Sequence, residues 1–71
     1  METDITEHAV WGPLGDWAVT FTSGDVLRVT AHAYELRDDE YVFSILMRGS
    51  PGYYIDLIRI PVGLVAEVEG G

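Results

Sequence analysis

The side chains that could do chemistry are few in this chain and widely separated. Nucleophilic catalysis needs a serine or threonine beside a base, but Ser23, Ser44 and Ser50 fall in two turns and one strand-like segment. None stands in the strand-to-helix elbow Gly-x-Ser-x-Gly that serves hydrolases. Residues 49–52 are glycine-rich, yet no lysine follows them, so we interpret them as a hairpin turn rather than a phosphate-binding loop. We therefore expect no catalytic residue and no enzyme activity.

Ligands for metals and cofactors are equally sparse. The chain has no cysteine, which excludes disulfides, thiolate zinc sites and thiol nucleophiles. His8 and His32 have no nearby histidine partner, and we expect His8 on an N-terminal arm and His32 on the polar side of a strand. The adjacent carboxylates of residues 38–40 do not converge on one cation, and we interpret them as a solvated turn. The sequence predicts no metal site and no cofactor.

The net charge argues against two further classes of function, nucleic-acid binding and membrane binding. Twelve acidic residues against four arginines give a formal net charge of −8, and the arginines stand singly. Clustered basic side chains supply most of the affinity for nucleic acids and anionic membranes, so direct binding to either is not expected. No apolar run approaches the ~20 residues of a membrane-spanning helix, and the acidic start METD is unlike a signal peptide. We expect a soluble, unsecreted protein, cytoplasmic or virion-associated.

Composition divides the chain into an N-terminal arm, residues 1–15, and a single small β domain, residues 16–71. The arm contains Val10, Trp11 and Leu14, and its glycines and proline disfavour both helix and strand. From residue 16 onward, apolar and polar side chains alternate with period two, which is typical of half-buried strands. A domain of this size has a thin margin of stability, roughly 3–5 kcal/mol.

Alternation around the turn sequence SGD predicts the first hairpin. If these three residues form the loop, Phe21 faces Leu27 and Val19 faces Val29. The second strand is then expected to cover residues 26–36.

The third and fourth strands are predicted at residues 41–47 and 53–60, on either side of the turn sequence RGSPG. Pairing across this turn matches apolar residues on both faces of the hairpin. The predicted pairs are Met47 with Tyr53, Ile45 with Ile55, Phe43 with Leu57, Leu46 with Tyr54, Ser44 with Asp56, and Val42 with Ile58.

Pro61 and Gly63 then interrupt the pattern, which predicts a 3₁₀ turn before a short last strand at residues 65–69. Five short strands predict an all-β fold, a small five-stranded antiparallel barrel or a curved meander. The early Ser-Gly turn and the late Ile-Pro-x-x-x-Val closure resemble SH3-like and Sm-like barrels in outline. A shared architecture of this kind implies no function.

The third and fourth strands carry more apolar side chains than one core face can use. If Phe43, Ile45, Met47, Ile55 and Leu57 fill the core, neighbouring apolar residues lie outside it, and such patches often mark interfaces. Either a partner or the chain's own arm would cover them. The predicted partner-binding residues are Trp11, Leu14, Val42, Leu46, Tyr54 and Ile58.

From these features we expect a non-enzymatic module for protein–protein interaction or assembly. A phage or bacterial structural or accessory protein that self-associates, or that decorates a larger assembly, fits this description, as a homo-oligomer or in a hetero-complex. The alternative is an acidic inhibitor that mimics nucleic acid and blocks a basic site on an enzyme. That alternative needs carboxylates gathered on one surface: Asp25, Glu35, Asp38, Asp39, Glu40, Glu67 and Glu69.

Overall fold

The computed structural model describes residues 12–70, and these form an all-β fold, as the alternation predicts. No α-helix occurs within this range; one 3₁₀ turn, Val62–Leu64, precedes the last strand. The strands are β1 (Gly15–Phe21), β2 (Val26–Ala31), β3 (Ala33–Arg37), β4 (Glu40–Met47), β5 (Tyr53–Pro61) and β6 (Val65–Gly70).

The strands form two antiparallel sheets with the orders β2-β1-β6 and β3-β4-β5. The prediction of a single second strand over residues 26–36 is wrong, because that segment divides at His32 between the two sheets. At the division the His32 N–H donates to the Ser44 carbonyl of β4 at 3.0 Å. The small, fully buried Ala31 precedes this corner, where a larger side chain would hold the sheets apart.

The core lies between the sheets, since each sheet contributes buried residues to it. Trp17 spans this space: its Nε1–H donates to the Ala31 carbonyl at 3.1 Å, and its ring packs edge-on against Tyr34 with centroids 4.9 Å apart. Edge-to-face packing adds to the area that such rings bury. The buried cluster consists of Val19, Ala31, Phe43 and Ile60.

The predicted register of the first hairpin is wrong by two residues, since Val19 pairs with Leu27. The loop begins one residue earlier than predicted: the Gly24 N–H donates to the Phe21 carbonyl at 2.9 Å, and the Phe21 N–H donates to the Asp25 carbonyl at 2.8 Å. Gly24 has a φ of 96°, which glycine adopts without strain. An offset of two leaves every side chain on its expected face.

The turn between β3 and β4 consists of Asp38 and Asp39, which are exposed as predicted. Both have positive φ, 52° and 63°, and they connect the paired residues Arg37 and Glu40. A two-residue connection with two positive φ values is a type I′ turn, which matches the twist of the flanking strands.

The β4–β5 hairpin confirms the predicted register only near its turn. The four pairs closest to the turn occur as predicted, down to Ser44 with Asp56. The ladder then shifts by one residue, and Phe43 pairs with Ile58, so the predicted Phe43–Leu57 pair is wrong. Leu57 is therefore the extra residue of a β-bulge.

The predicted 3₁₀ turn is confirmed at Val62–Leu64. The Val62 N–H donates to the Asp39 carbonyl at 2.9 Å, and the Leu64 carbonyl accepts from the Thr22 N–H at 2.9 Å. The turn is thus bonded to the tight turns of both sheets. It directs β6 back to β1, where Val68 pairs with Val19.

Candidate interaction surface

The predicted partner-binding residues lie in several different environments. Tyr54 is 61% exposed, and Leu46, its partner across the β4–β5 ladder, is half-buried. Leu14 is half-buried just before β1. Trp11 lies outside the described residues. The structure therefore brings Leu46 and Tyr54 together at the end of the hairpin.

The expectation that Val42 and Ile58 lie on the surface is wrong. Because the ladder shifts at the bulge, Ile58 stands opposite Phe43 and packs against the core. Val42 is only 1% exposed, since its ladder neighbours are Glu35 and Arg59. The aliphatic stems of long charged side chains cover apolar neighbours in this way.

Four residues of β5 form what we call the hairpin patch: Tyr53, Tyr54, Ile55 and Leu57. They are 53%, 61%, 40% and 47% exposed, respectively. The prediction that Ile55 and Leu57 belong to the core is wrong. Ile55 points to the same face as the buried Phe43 but remains exposed, so the first sheet does not cover this end of the hairpin. The signal in the sequence was a strand that is apolar on both faces.

A cluster of five charged residues borders the hairpin patch on the outer face of the second sheet. Asp56 accepts hydrogen bonds from Arg37 Nη1 at 3.1 Å and from Arg59 Nη2 at 3.0 Å. Arg37 also donates to Glu35, through Nε at 2.8 Å. Arg59 lies 3.9 Å from a carboxylate oxygen of Glu40. The two arginines thus join the three strands of the sheet through their carboxylate partners.

These contacts shift two ionisation equilibria. Desolvation opposes ionisation of Asp56, but the hydrogen bonds from Arg37 and Arg59 outweigh it, and the pKa of the carboxyl falls below its ordinary value. The hydrogen bond to Glu35, followed by that to Asp56, raises the pKa of the Arg37 guanidinium. Each charged group here has an oppositely charged partner within the cluster, so the cluster links the three strands of the sheet.

A cavity of about 290 Å³ opens on the same face, between the cluster and the hairpin patch. Its charged lining residues, Glu35 and Arg37, are bonded to each other. Neither of these two charged groups is therefore free to bind a ligand in the cavity. The lining residues are Ala33, Tyr34, Glu35, Arg37, Ser44 and Tyr54.

His32 supports the hairpin from its base. The prediction that it lies on the polar side of a strand is wrong, because it stands half-buried at the corner between β2 and β3. Its Nδ1 accepts the Leu46 N–H at 2.8 Å, which assigns the ring proton of the neutral imidazole to Nε2. Nε2 is buried without a hydrogen-bond partner. The ring is therefore a structural acceptor for β4.

Residues 12–70 contain neither of two further kinds of site, a metal centre or a membrane-spanning helix. No group of three or more His, Cys, Asp or Glu side chains in this range could hold a metal ion. Within the same range, no helix has the length and apolar character needed to cross a membrane. Comparison with protein-family models, curated proteins and solved structures found no match to this chain. Within the described residues, the hairpin patch groups four large, exposed apolar side chains on one strand.

Proposed function

We propose that this domain is a non-enzymatic module for protein–protein interaction or assembly, and that it binds through the hairpin patch. The observation that carries the proposal is the exposure of four large apolar residues within the first half of β5, Tyr53, Tyr54, Ile55 and Leu57. Tyr53 and Ile55 lie on one face of the strand and Tyr54 lies on the other. Large apolar side chains that cluster at an exposed strand often mark interaction sites in soluble proteins. Tyrosine beside aliphatic residues is also the composition of interface cores.

The size of the patch supports this proposal. With roughly 200 Å² for each side chain, the exposed fractions amount to about 400 Å². Removing that area from water at ~25 cal/mol/Å² corresponds to about 10 kcal/mol before entropic costs. This gross value is comparable to the whole stability of a small domain, so burying even part of the patch would offset part of the entropic cost of association.

For the architecture we propose the SH3-like outline, with the two sheets as halves of a small, partly open barrel. Three features support it. The chain passes from one sheet to the other at His32, between β2 and β3; the 3₁₀ turn Val62–Leu64 precedes the last strand; and β6 returns to β1. This outline leaves the end of the β4–β5 hairpin projecting beyond the first sheet.

The charges favour the interaction module over the acidic inhibitor. Glu35 and Glu40 are engaged by arginines, whereas a nucleic-acid mimic needs free carboxylates on one surface. Glu67 and Glu69 lie on β6, in the other sheet. A structural or accessory role in the cytoplasm or in a phage particle is the setting we propose for the module.

A pair of matched variants tests this function. Leu57→Asp places a charge in the hairpin patch, whereas Leu64→Asp places the same charge at a similarly exposed leucine on the 3₁₀ turn. We expect Leu57→Asp to lose every association of the native protein, measured by light scattering and by binding to a purified partner. Leu64→Asp should retain them.

Circular dichroism establishes that both variants are folded. A folded Leu57→Asp variant that keeps all native associations would overturn the proposal.

A further inference from the structure

The outer strands of the two sheets, β2, β6, β3 and β5, differ in how well their open edges are protected. β6 presents Glu67 and Glu69, and the five-residue β3 presents Glu35 and Arg37. Charged side chains are a common protection of an open edge. β5 is the longest strand of the described chain, with nine residues, and its first three carry no charge. The start of β5 therefore lacks this protection and can pair with another strand.

Hydrogen bonds of β4 show which of its backbone groups face β5. The Ser44 carbonyl accepts from His32, and the Leu46 N–H donates to the His32 ring, so both residues direct their backbone groups away from β5. Successive residues of a strand direct these groups to opposite sides. Ile45 therefore bonds to β5, at its ladder partner Ile55.

The same alternation identifies the free groups on β5. Because Ile55 directs its N–H and C=O toward β4, Tyr54 and Asp56 direct theirs to the open edge. β5 has no strand on that side within the described residues. Each of these two residues thus offers one donor and one acceptor to an incoming strand.

An antiparallel two-fold pairing of this edge has three possible centres. Centred on Tyr54, it requires Gly52, which lies in the turn outside β5. Centred on Asp56, it pairs Tyr54 with Ile58, whose backbone groups face β4 because of the β-bulge. Centred on Ile55, Tyr54 of each copy meets Asp56 of the other, and these residues exchange four backbone hydrogen bonds.

The centre at Ile55 also matches the exposed side chains. Ile55 of one copy faces Ile55 of the other, and Tyr53 faces Leu57. The exposed apolar residues on this side are thereby buried against each other. Asp56 meets a tyrosine and is already neutralised by Arg37 and Arg59, so the acidic net charge of the chain is not concentrated at this contact.

We propose that β5 pairs with β5 of a second copy of this chain, antiparallel and centred on Ile55, and joins two second sheets into one of six strands. The proposal rests on the proposed function, because it names the partner of the hairpin patch. The patches of two copies together expose roughly 800 Å² of apolar area. This is slightly below the ~1,000 Å² of stable interfaces, so we expect a dimer whose population depends on protein concentration.

Cysteine cross-linking tests the register directly, because the chain has no cysteine of its own. In the proposed dimer the two Ile55 Cα atoms face each other at ~4.5 Å, within the ~4.4–6.8 Å range of disulfides. We expect Ile55→Cys to form a covalent dimer under mild oxidation at least tenfold faster than Leu36→Cys, which is exposed on the opposite edge of the sheet. Tyr53→Cys alone should cross-link slowly, but rapidly when mixed with Leu57→Cys.

Sedimentation of the unmodified protein from about 1 to 500 μM distinguishes the remaining outcomes. A monomer–dimer equilibrium that Ile55→Lys abolishes and Leu36→Lys preserves is the expected result. A monomer at every concentration, equal cross-linking at Ile55 and Leu36, or larger head-to-tail assemblies would overturn the β5 pairing. If such a monomer still binds another protein through Leu57, the proposed function stands and only the second copy is excluded.

Discussion

Val42 offers the sharpest test of the packing, because the alternation of β4 places it on the same face as the exposed Tyr54. Val42 is 1% exposed whereas Tyr54 is 61% exposed. Truncating Val42 to alanine removes two buried carbon groups, worth ~0.8 kcal/mol each. The cavity that remains raises the expected loss in the free energy of unfolding to about 2 kcal/mol. That is around half the stability expected for a domain of this size.

The measurement is guanidinium and thermal unfolding followed by circular dichroism. For a domain of 60–100 residues, each kcal/mol shifts Tm by about 4–8 °C, so Val42→Ala should lower Tm by roughly 8–16 °C. Tyr54→Ala is the matched control and should change the free energy of unfolding by no more than ~0.5 kcal/mol. Equal, small effects of the two variants would refute the burial of Val42 beneath the charged side chains.

Two further predictions concern the turn and the charged cluster. Asp39→Gly should raise the free energy of unfolding by about 1 kcal/mol, because Asp39 has a φ of 63° and glycine adopts such values freely. The control, Glu67→Gly, removes the same charge from a strand and should instead lower the free energy of unfolding. The pKa of Asp56 is lower in the folded state than its ordinary value of 3.8. The ionised carboxylate therefore stabilises the fold above pH 3.8, and this stabilisation is lost as the pH falls through the pKa of the folded state. Stability measured by urea unfolding should therefore decrease less between pH 5 and about pH 3 in Asp56→Asn than in the unmodified protein; identical pH profiles would contradict the role assigned to Arg37 and Arg59.

The strands of this protein were predictable where they depend on local pattern. Period-two alternation and turn residues predicted the all-β class, the 3₁₀ turn and the pairing near the β4–β5 turn. Register errors differed in their consequences. The two-residue offset at Val19 preserved the faces of the first hairpin, whereas the one-residue bulge at Leu57 transferred Ile58 from the surface to the core. Side-chain faces change only with an odd offset.

The remaining features depend on contacts between distant parts of the chain. The corner at His32 depends on a hydrogen bond to the Ser44 carbonyl of β4. The residues next to His32 in the sequence do not indicate that the strand breaks there. Val42 is buried because arginine and glutamate side chains from two other strands flank it. Of the hairpin patch, only Tyr54 was among the predicted partner-binding residues, since exposure at Ile55 depends on where the first sheet ends.

The pairing of β6 with β1 determines when the first sheet can be completed. β1 and β6 are the first and last strands of the described residues, whereas β3, β4 and β5 are joined by short turns. The second sheet can therefore form between neighbouring segments, but Val19 gains its partner Val68 only when two distant segments of the chain meet. Closing so long a loop is the entropically costly step. Until that loop closes, the edge of β1 that pairs with β6 is open to strands of other molecules.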